Sequence, residues 1–329
     1  MTAVTQLKKS RRAWFLFLAR WAAALAILGL LVHLLPVVPL RKALSSVPLT
    51  RFAAVLLIYL VALAGGVTKW HLTVNSADAQ LPFATSAQCY AGGLFGTLFL
   101  PSIVGGDVVR LAVGISHSPQ PAGVITGNVA DRILDVLAQL TLVAIGVSLL
   151  PGSLPMPFRA YVSHLLLIAT LVGAALLLVL WTVLRPLLRA RSIRIRRRLA
   201  QLRRAIRAVS RRPYRLLFCY VLGTSVQCTY LLITAALGVS CGLHLPLRVW
   251  LFAWPLSKIS AVLPITQGGI GVREAALVIL LEPFHAPPAQ VLATGIAAEG
   301  LVIAGGILAG LTAFLLRQAE SHSNKRSLR

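Results

Sequence analysis

The stretch LPITQGGIGVREAAL, residues 263–277, lies in the apolar part of a chain that is 57% hydrophobic. It holds Pro264, then Gly268, Gly269 and Gly271, and then the opposite charges of Arg273 and Glu274. A glycine weakens a helix by about 1 kcal/mol relative to alanine. A charge at the centre of a bilayer costs at least about 2.5 kcal/mol on insertion scales. Glycines and charges together mark a place where a membrane helix breaks and where ionised groups face protein or water instead of lipid.

The rest of the chain sets that reading. With 329 residues, 12% of them charged, and a mean hydropathy of +0.83, it carries more apolar surface than one water-soluble core could bury. The bilayer is therefore its solvent. The 32 Lys+Arg residues against 8 Asp+Glu give a formal net charge of +24. They cluster between and beside the apolar runs, where basic residues act as topology signals. Nucleic acid is excluded as a partner, because the basic segments lack aromatic residues for base stacking. Cys89, Cys219, Cys228 and Cys241 show no metal-binding or redox spacing and read as packing residues. No cofactor or metal is expected.

Six apolar runs reach the roughly 20 residues a membrane helix needs, near 13–35, 51–72, 122–150, 161–184, 215–238 and 288–316. The first has the basic flank of a signal peptide but no small-residue cleavage site, and is read as a span. Two further stretches, 81–115 and 247–282, are interrupted by Pro101, Gly105, Gly106 and by Pro255, Pro264, Gly268, Gly269, Gly271. Thirteen arginines crowd 185–215, and the two ends of the chain are basic. All three are expected on the cytoplasmic side. The parity of crossings then requires both interrupted stretches to be re-entrant hairpins, or pairs of full crossings.

The two hairpins match each other. PSIVGGDVVR, 101–110, and PITQGGIGVR, 264–273, share Pro-x-x-x-Gly-Gly-x-x-x-Arg at an offset of 163, and at an offset of 164 Arg51 meets Arg215 and Asp135 meets Glu299. The expected architecture is all-α and polytopic, built from two inverted repeats of three transmembrane helices and one hairpin each. The first repeat would be 1–150 and the second 151–320, followed by a basic tail, 321–329.

Five acidic residues fall in these segments, Asp107, Asp131, Asp135, Glu274 and Glu299, with Arg110, Arg132 and Arg273 as basic partners. Asn128, Asp131, Arg132 and Asp135 are three, four and seven apart, which puts them in one polar stripe on a helix. The glycine pairs are expected to turn the backbone and bare N–H groups at the start of a short helix, an anion-binding arrangement. Arginine suits a phosphate bidentately. These residues form the candidate substrate site, with a structural ion-pair network as the alternative. In RIRRRLAQLRRAIRAVSRR, Ile195, Leu199, Leu202, Ile206 and Val209 recur at steps of four and three. That makes an amphipathic helix suited to an anionic leaflet, or a basic connector that fixes topology.

LPITQGGIGVREAALVILL, with PSIVGGDVVRLAVG and VADRILD upstream, resembles the lysylphosphatidylglycerol synthase transmembrane-region family over nearly the whole chain. The resemblance implies a bacterial inner-membrane protein, with both termini cytoplasmic, that moves or handles a lipid with a polar headgroup. In the multiple peptide resistance factors this region is the flippase part, joined to a soluble aminoacyl-transferase domain. By motif match, a functional role extends to Asp107, Arg110, Asp131, Arg132, Arg273 and Glu274. Only a short tail follows the last span, so lysyl transfer is not the expected activity. The implied partners are anionic or phosphate-bearing membrane lipids. Two other readings stay open: a membrane-embedded accessory of a lipid-synthesis enzyme or glycosyltransferase, and an enzyme that modifies lipid with an acidic residue as base.

Overall fold

The computed structural model describes residues 37–99, 103–150, 193–260, 266 and 269–327. The spans predicted at 13–35 and 161–184 lie outside these residues, as do Pro101, Pro264 and Gly268. The described residues form helices and no strand: α1 (Val37–Ser45), α2 (Leu49–Ser76), α3 (Phe83–Phe99), α4 (Ile103–His117), α5 (Pro121–Leu149), α6 (Ile193–Ser210), α7 (Pro213–Ser240), α8 (Leu247–Ser260), α9 (Val272–Leu281) and α10 (Pro288–Ser327), with a 3-10 turn at Glu282–Phe284. Proline opens α5 and α7 at the first turn, where its missing N–H has no helical partner to lose.

Four helices, α2, α5, α7 and α10, are long and apolar enough to cross a membrane. At most half of each apolar window is buried inside the protein. The remaining surface carries Leu57, Ile58 and Val61 on α2, Ile133, Val136 and Leu137 on α5, Leu217, Phe218 and Val221 on α7, and Leu311, Phe314 and Leu315 on α10. Apolar surface this extensive is stable only against lipid. The chain is a multi-pass membrane protein. The last helix continues past the predicted span at 316 and through the tail to Ser327.

Each interrupted stretch folds as two short helices packed on each other, α3 with α4 and α8 with α9. The 17 residues of α3 and 15 of α4 extend about 25 and 22 Å at 1.5 Å per residue. The 14 of α8 and 10 of α9 extend about 21 and 15 Å. All four fall short of a hydrocarbon core about 30 Å thick. Pro255 interrupts the hydrogen-bond ladder of α8 without ending the helix, which runs on to Ser260.

At the centre α2 and α7 lie antiparallel. Arg51 at the start of α2 donates to Ser240 Oγ at the end of α7 (2.9 Å), and Arg212, just before α7, donates to the carbonyl of Asn75 (2.9 Å). Midway, the rings of Tyr59 and Tyr230 meet at 5.2 Å. Around this pair the contacts come in matching sets: α3 packs on α10 and α8 on α5, α4 on α5 and α9 on α10, α1 on α10 and α6 on α5. A cluster of Leu231, Trp250, Phe252, Leu256, Leu277 and Leu280 fills the space between α7, α8 and α9.

Close helix approach is what brings charged positions together. At Gly127 on α5 an added Cβ would fall 2.3 Å from the Cα of Val74 on α2, so backbone meets backbone. This contact lies beside the Trp70–Asn128 hydrogen bond and one turn from Lys69 and Asp131. We expect Gly127→Ala to force the two helices apart and to cost about 1–3 kcal/mol, the usual range for overpacking a filled interior. Thermal unfolding of the purified protein in detergent measures it. An unchanged midpoint would show that α2 and α5 are not held at this distance.

Candidate functional site

Six helices place ten ionised side chains inside the protein. The first network joins Lys69 of α2, Asp107 and Arg110 of α4, and Asp131, Arg132 and Asp135 of α5. Lys69 Nζ stands 2.9 Å from Asp131 Oδ1 and 2.5 Å from Asp135 Oδ1. Arg132 Nη2 meets the remaining oxygens of the same two carboxylates at 2.8 and 3.1 Å, and its Nε lies 3.5 Å from Asp107. Three cations thus balance three anions. The stripe predicted on 128–135 is real, but Asn128 serves it indirectly: its Oδ1 accepts the indole N–H of Trp70 at 2.9 Å.

Arg110 is held differently. It is buried, it sits 3.7 Å from both Asp107 and Asp131, and its guanidinium lies over the rings of Tyr90 (4.1 Å) and Trp70 (5.7 Å). Its Nε and Nη1 have no hydrogen-bond partner among the described residues. Aromatic faces stabilise a desolvated guanidinium by up to about 2 kcal/mol, which offsets part of the lost hydration.

The second network belongs to the opening stretch. Gly269 and Gly271 take φ of 81° and 85°, a backbone that side-chain-bearing residues rarely adopt. This turn starts α9, as the glycines predicted. The N–H of Gly271 donates to Glu274 Oε2 at 2.7 Å, so the chain's own carboxylate occupies the anion position at this helix start. Arg273 Nη2 lies 3.0 Å from Glu274 Oε1 and also donates to Glu299 on α10. Glu274 is buried to 1% exposure because Gly295 of α10 leaves space for it: a Cβ there would fall 2.7 Å from Glu274 Cγ.

The matching pair on α4 departs from expectation. Gly105 and Gly106 lie inside the first turns of the helix, not in a turn before it. A Cβ on Gly106 would meet the carbonyl oxygen of Gly93 at 2.6 Å, so this glycine lets α3 and α4 touch. The register of the halves also slips by one turn. Arg273 pairs with Glu299, whereas Arg110 reaches Asp131 and leaves Asp135, the position matching Glu299, to Lys69 and Arg132.

Two cations absent from the predicted set complete the interior. Lys69 stands inside the apolar run 51–72 and Lys258 inside 247–282. The insertion cost that singled out the arginines applies to both, so a search for every charge in an apolar run finds them. Lys258 donates to Gln227 Oε1 at 2.8 Å, lies 4.9 Å from the Trp254 ring and 5.4 Å from the Tyr230 ring, and is within electrostatic range of both Asp135 and Arg273. It belongs to neither network. Arg110 and Arg273 therefore belong to separate clusters, each faced by its own carboxylates.

Access to both clusters is narrow. The Arg132 side chain is 37% exposed and that of Arg273 21%, while Asp107, Asp135 and Glu299 are at 16% or less. Two surface hollows of about 380 and 370 Å³, one lined by Leu137, Thr141 and Tyr220 and the other by Val47, Phe52 and Gly300, contain no residue of either network. Removing one cation strands buried anions. Lys69→Met should cost about 3–5 kcal/mol, the range for breaking a buried ion pair, and adding Asp135→Asn should recover part of it. Thermal unfolding of both variants in detergent reads the coupling, and additive losses would mean that the pair does not interact.

Neither a curated protein nor a solved structure matches the chain. A family model does: the one described as the lysylphosphatidylglycerol synthase TM region matches residues 17–310, a range that contains every member of both networks and the glycine turn. The chain belongs to the lysylphosphatidylglycerol synthase transmembrane-region family.

Proposed function

We propose that this protein translocates a phospholipid or lipid-linked intermediate with a polar headgroup between the leaflets of the bacterial inner membrane. The observation that carries the reading is the pair of buried ion networks, built where short helices meet long ones, with Lys258 within electrostatic range of both, in a protein whose outer surface is apolar. A headgroup crossing hydrocarbon loses its hydration, and the loss is what makes unassisted crossing slow. Side chains already paired inside the protein can exchange partners with the headgroup. A phosphate that takes the place of Asp107 or Asp135 on Arg132, or of Glu299 on Arg273, substitutes one anion for another at nearly constant charge. Arg132 and Arg273 are the most exposed members of their networks and the natural points for that exchange.

The plan of the fold supports the same reading. Helices α2 and α7 begin 164 residues apart, have equal lengths of 28 residues and run antiparallel against each other. Repeats related in this way enter a membrane from opposite sides, and the short helices α3, α4, α8 and α9 then act as re-entrant hairpins that converge on the interior. Basic residues in 185–215 and at both ends support cytoplasmic termini. The reading treats the carboxylates as counter-charges that release and recapture arginines, so transport and not chemistry on the lipid is the activity.

The test is headgroup accessibility in liposomes that contain the purified chain. Labelled headgroups should cross at least about ten-fold faster than in protein-free liposomes, and Arg273→Gln should slow the exchange about ten-fold or more, since a charge-assisted hydrogen bond contributes about 1.5–3 kcal/mol and 1.4 kcal/mol is a factor of ten. Protein-free rates across anionic, zwitterionic and glycosylated lipids would overturn the reading. Mass spectrometry of the same lipids separates it from an enzyme, which would leave a new product.

A further inference from the structure

The charges inside the protein do not balance locally. Lys69, Arg110 and Arg132 match Asp107, Asp131 and Asp135 one for one. In the second network Arg273 alone faces both Glu274 and Glu299. Lys258 is the cation left over: among the described residues no carboxylate comes within ion-pairing distance of its Nζ. Among the described residues its hydrogen bond goes to a neutral amide oxygen, Gln227 Oε1, at 2.8 Å.

An ammonium carries three N–H donors. One is used on Gln227. The others face an aromatic enclosure formed by Trp254, one turn earlier on α8, and Tyr230, one turn after Gln227 on α7. Ring faces attract a cation but accept no strong hydrogen bond, so they hold the ammonium in position without neutralising it. The residue is covered over most of its surface without being fully enclosed. It stands within electrostatic range of Asp135 of the first network and Arg273 of the second. A cation in a membrane interior with no anion in contact is a place where one can bind.

We propose that Lys258, positioned by Gln227, Tyr230 and Trp254, is the anchoring point for the phosphate of the headgroup, and that the arginines of the two networks guide the phosphate to and from it. The assignment rests on the transport reading for its lipid but not for its chemistry, which is recognition of a phosphate oxyanion by a desolvated ammonium. A single ammonium binds a phosphate as a point charge, so a diester and a free phosphate are both accommodated and planar bidentate geometry is not required.

The experiment compares the full chain with Lys258→Gln and Lys258→Arg. Each is purified in detergent, exchanged into nanodiscs of phosphatidylglycerol with phosphatidylcholine, and examined by native mass spectrometry for retained phosphatidylglycerol. Headgroup crossing is measured in liposomes of the same composition and in liposomes doped with an uncharged glycosyl diacylglycerol. Lys258→Gln should lose at least ten-fold in retained phosphatidylglycerol and in its crossing, leave glycosyl diacylglycerol crossing within about two-fold of the wild type, and be rescued to within about three-fold by Lys258→Arg. Release of the retained lipid by millimolar inorganic phosphate would identify a site for phosphate as such, and resistance to it a site that also requires the acyl chains. Equal retention by the wild type and Lys258→Gln overturns the assignment whatever the crossing rates. If no lipid crosses but retention still depends on Lys258, the transport reading fails and the anion site stands.

Discussion

A charge placed in hydrocarbon loses its water, and even the mildest scales put the cost at about 2.5 kcal/mol per residue. This protein places five acidic and five basic side chains on helices that include its apolar spans. Each must find a partner inside the molecule, and the fold is arranged around that need. Lys69 holds two aspartates, Arg132 reaches three, and Arg273 clasps two glutamates. The helices that carry these groups cannot slide or rotate without parting an ion pair in a medium that offers no replacement. Buried pairs of this kind contribute little net stability when compared with well-packed apolar residues, but breaking one is costly. They fix register more than they add stability.

Close packing is the condition for that pairing. The α2–α5 contact at Gly127 and Val74 leaves no space for a side chain, and the Trp70–Asn128 hydrogen bond sits beside it. On the other side, Gly295 makes space for Glu274, whose carboxylate caps the start of α9. The same residue thus satisfies a helix end and charges the interior. A phosphate arriving at that helix start would have to compete with Glu274, which moves the point of recognition from the backbone N–H groups to the side chains around it. The arrangement suits the proposed exchange of partners: among the ten interior charges described, every cation but Lys258 has a carboxylate within 4 Å, so under that proposal a headgroup would enter by substitution.

Much of this was legible in the sequence. The four long helices, the two interrupted stretches and the all-helical class follow from where apolar runs start and stop, because a backbone in lipid must satisfy its own hydrogen bonds. The polar stripe on 128–135 follows from helical spacing, and the turn at Gly269 and Gly271 from glycine's freedom at positive φ. Lys69 and Lys258 were legible by the same cost argument that identified the arginines. Spacing along one helix, however, says which residues share a face and not which face of another helix they meet.

That second question only the packed structure decides. The matching glycine pairs take different roles, Gly269 in a turn and Gly106 inside a helix against Gly93, because Gly–Gly permits both and the neighbouring helix selects one. The matching carboxylates Asp135 and Glu299 take different cations, since a lysine on α2 reaches the first and the hairpin arginine the second. Chain composition determined that charges would be buried and had to be paired, a matter of solvation energy that acts residue by residue. Which charges pair, and that Lys258 among the described interior cations has no carboxylate in contact, was decided by tertiary contacts, because ion pairing depends on distances between residues far apart in the chain.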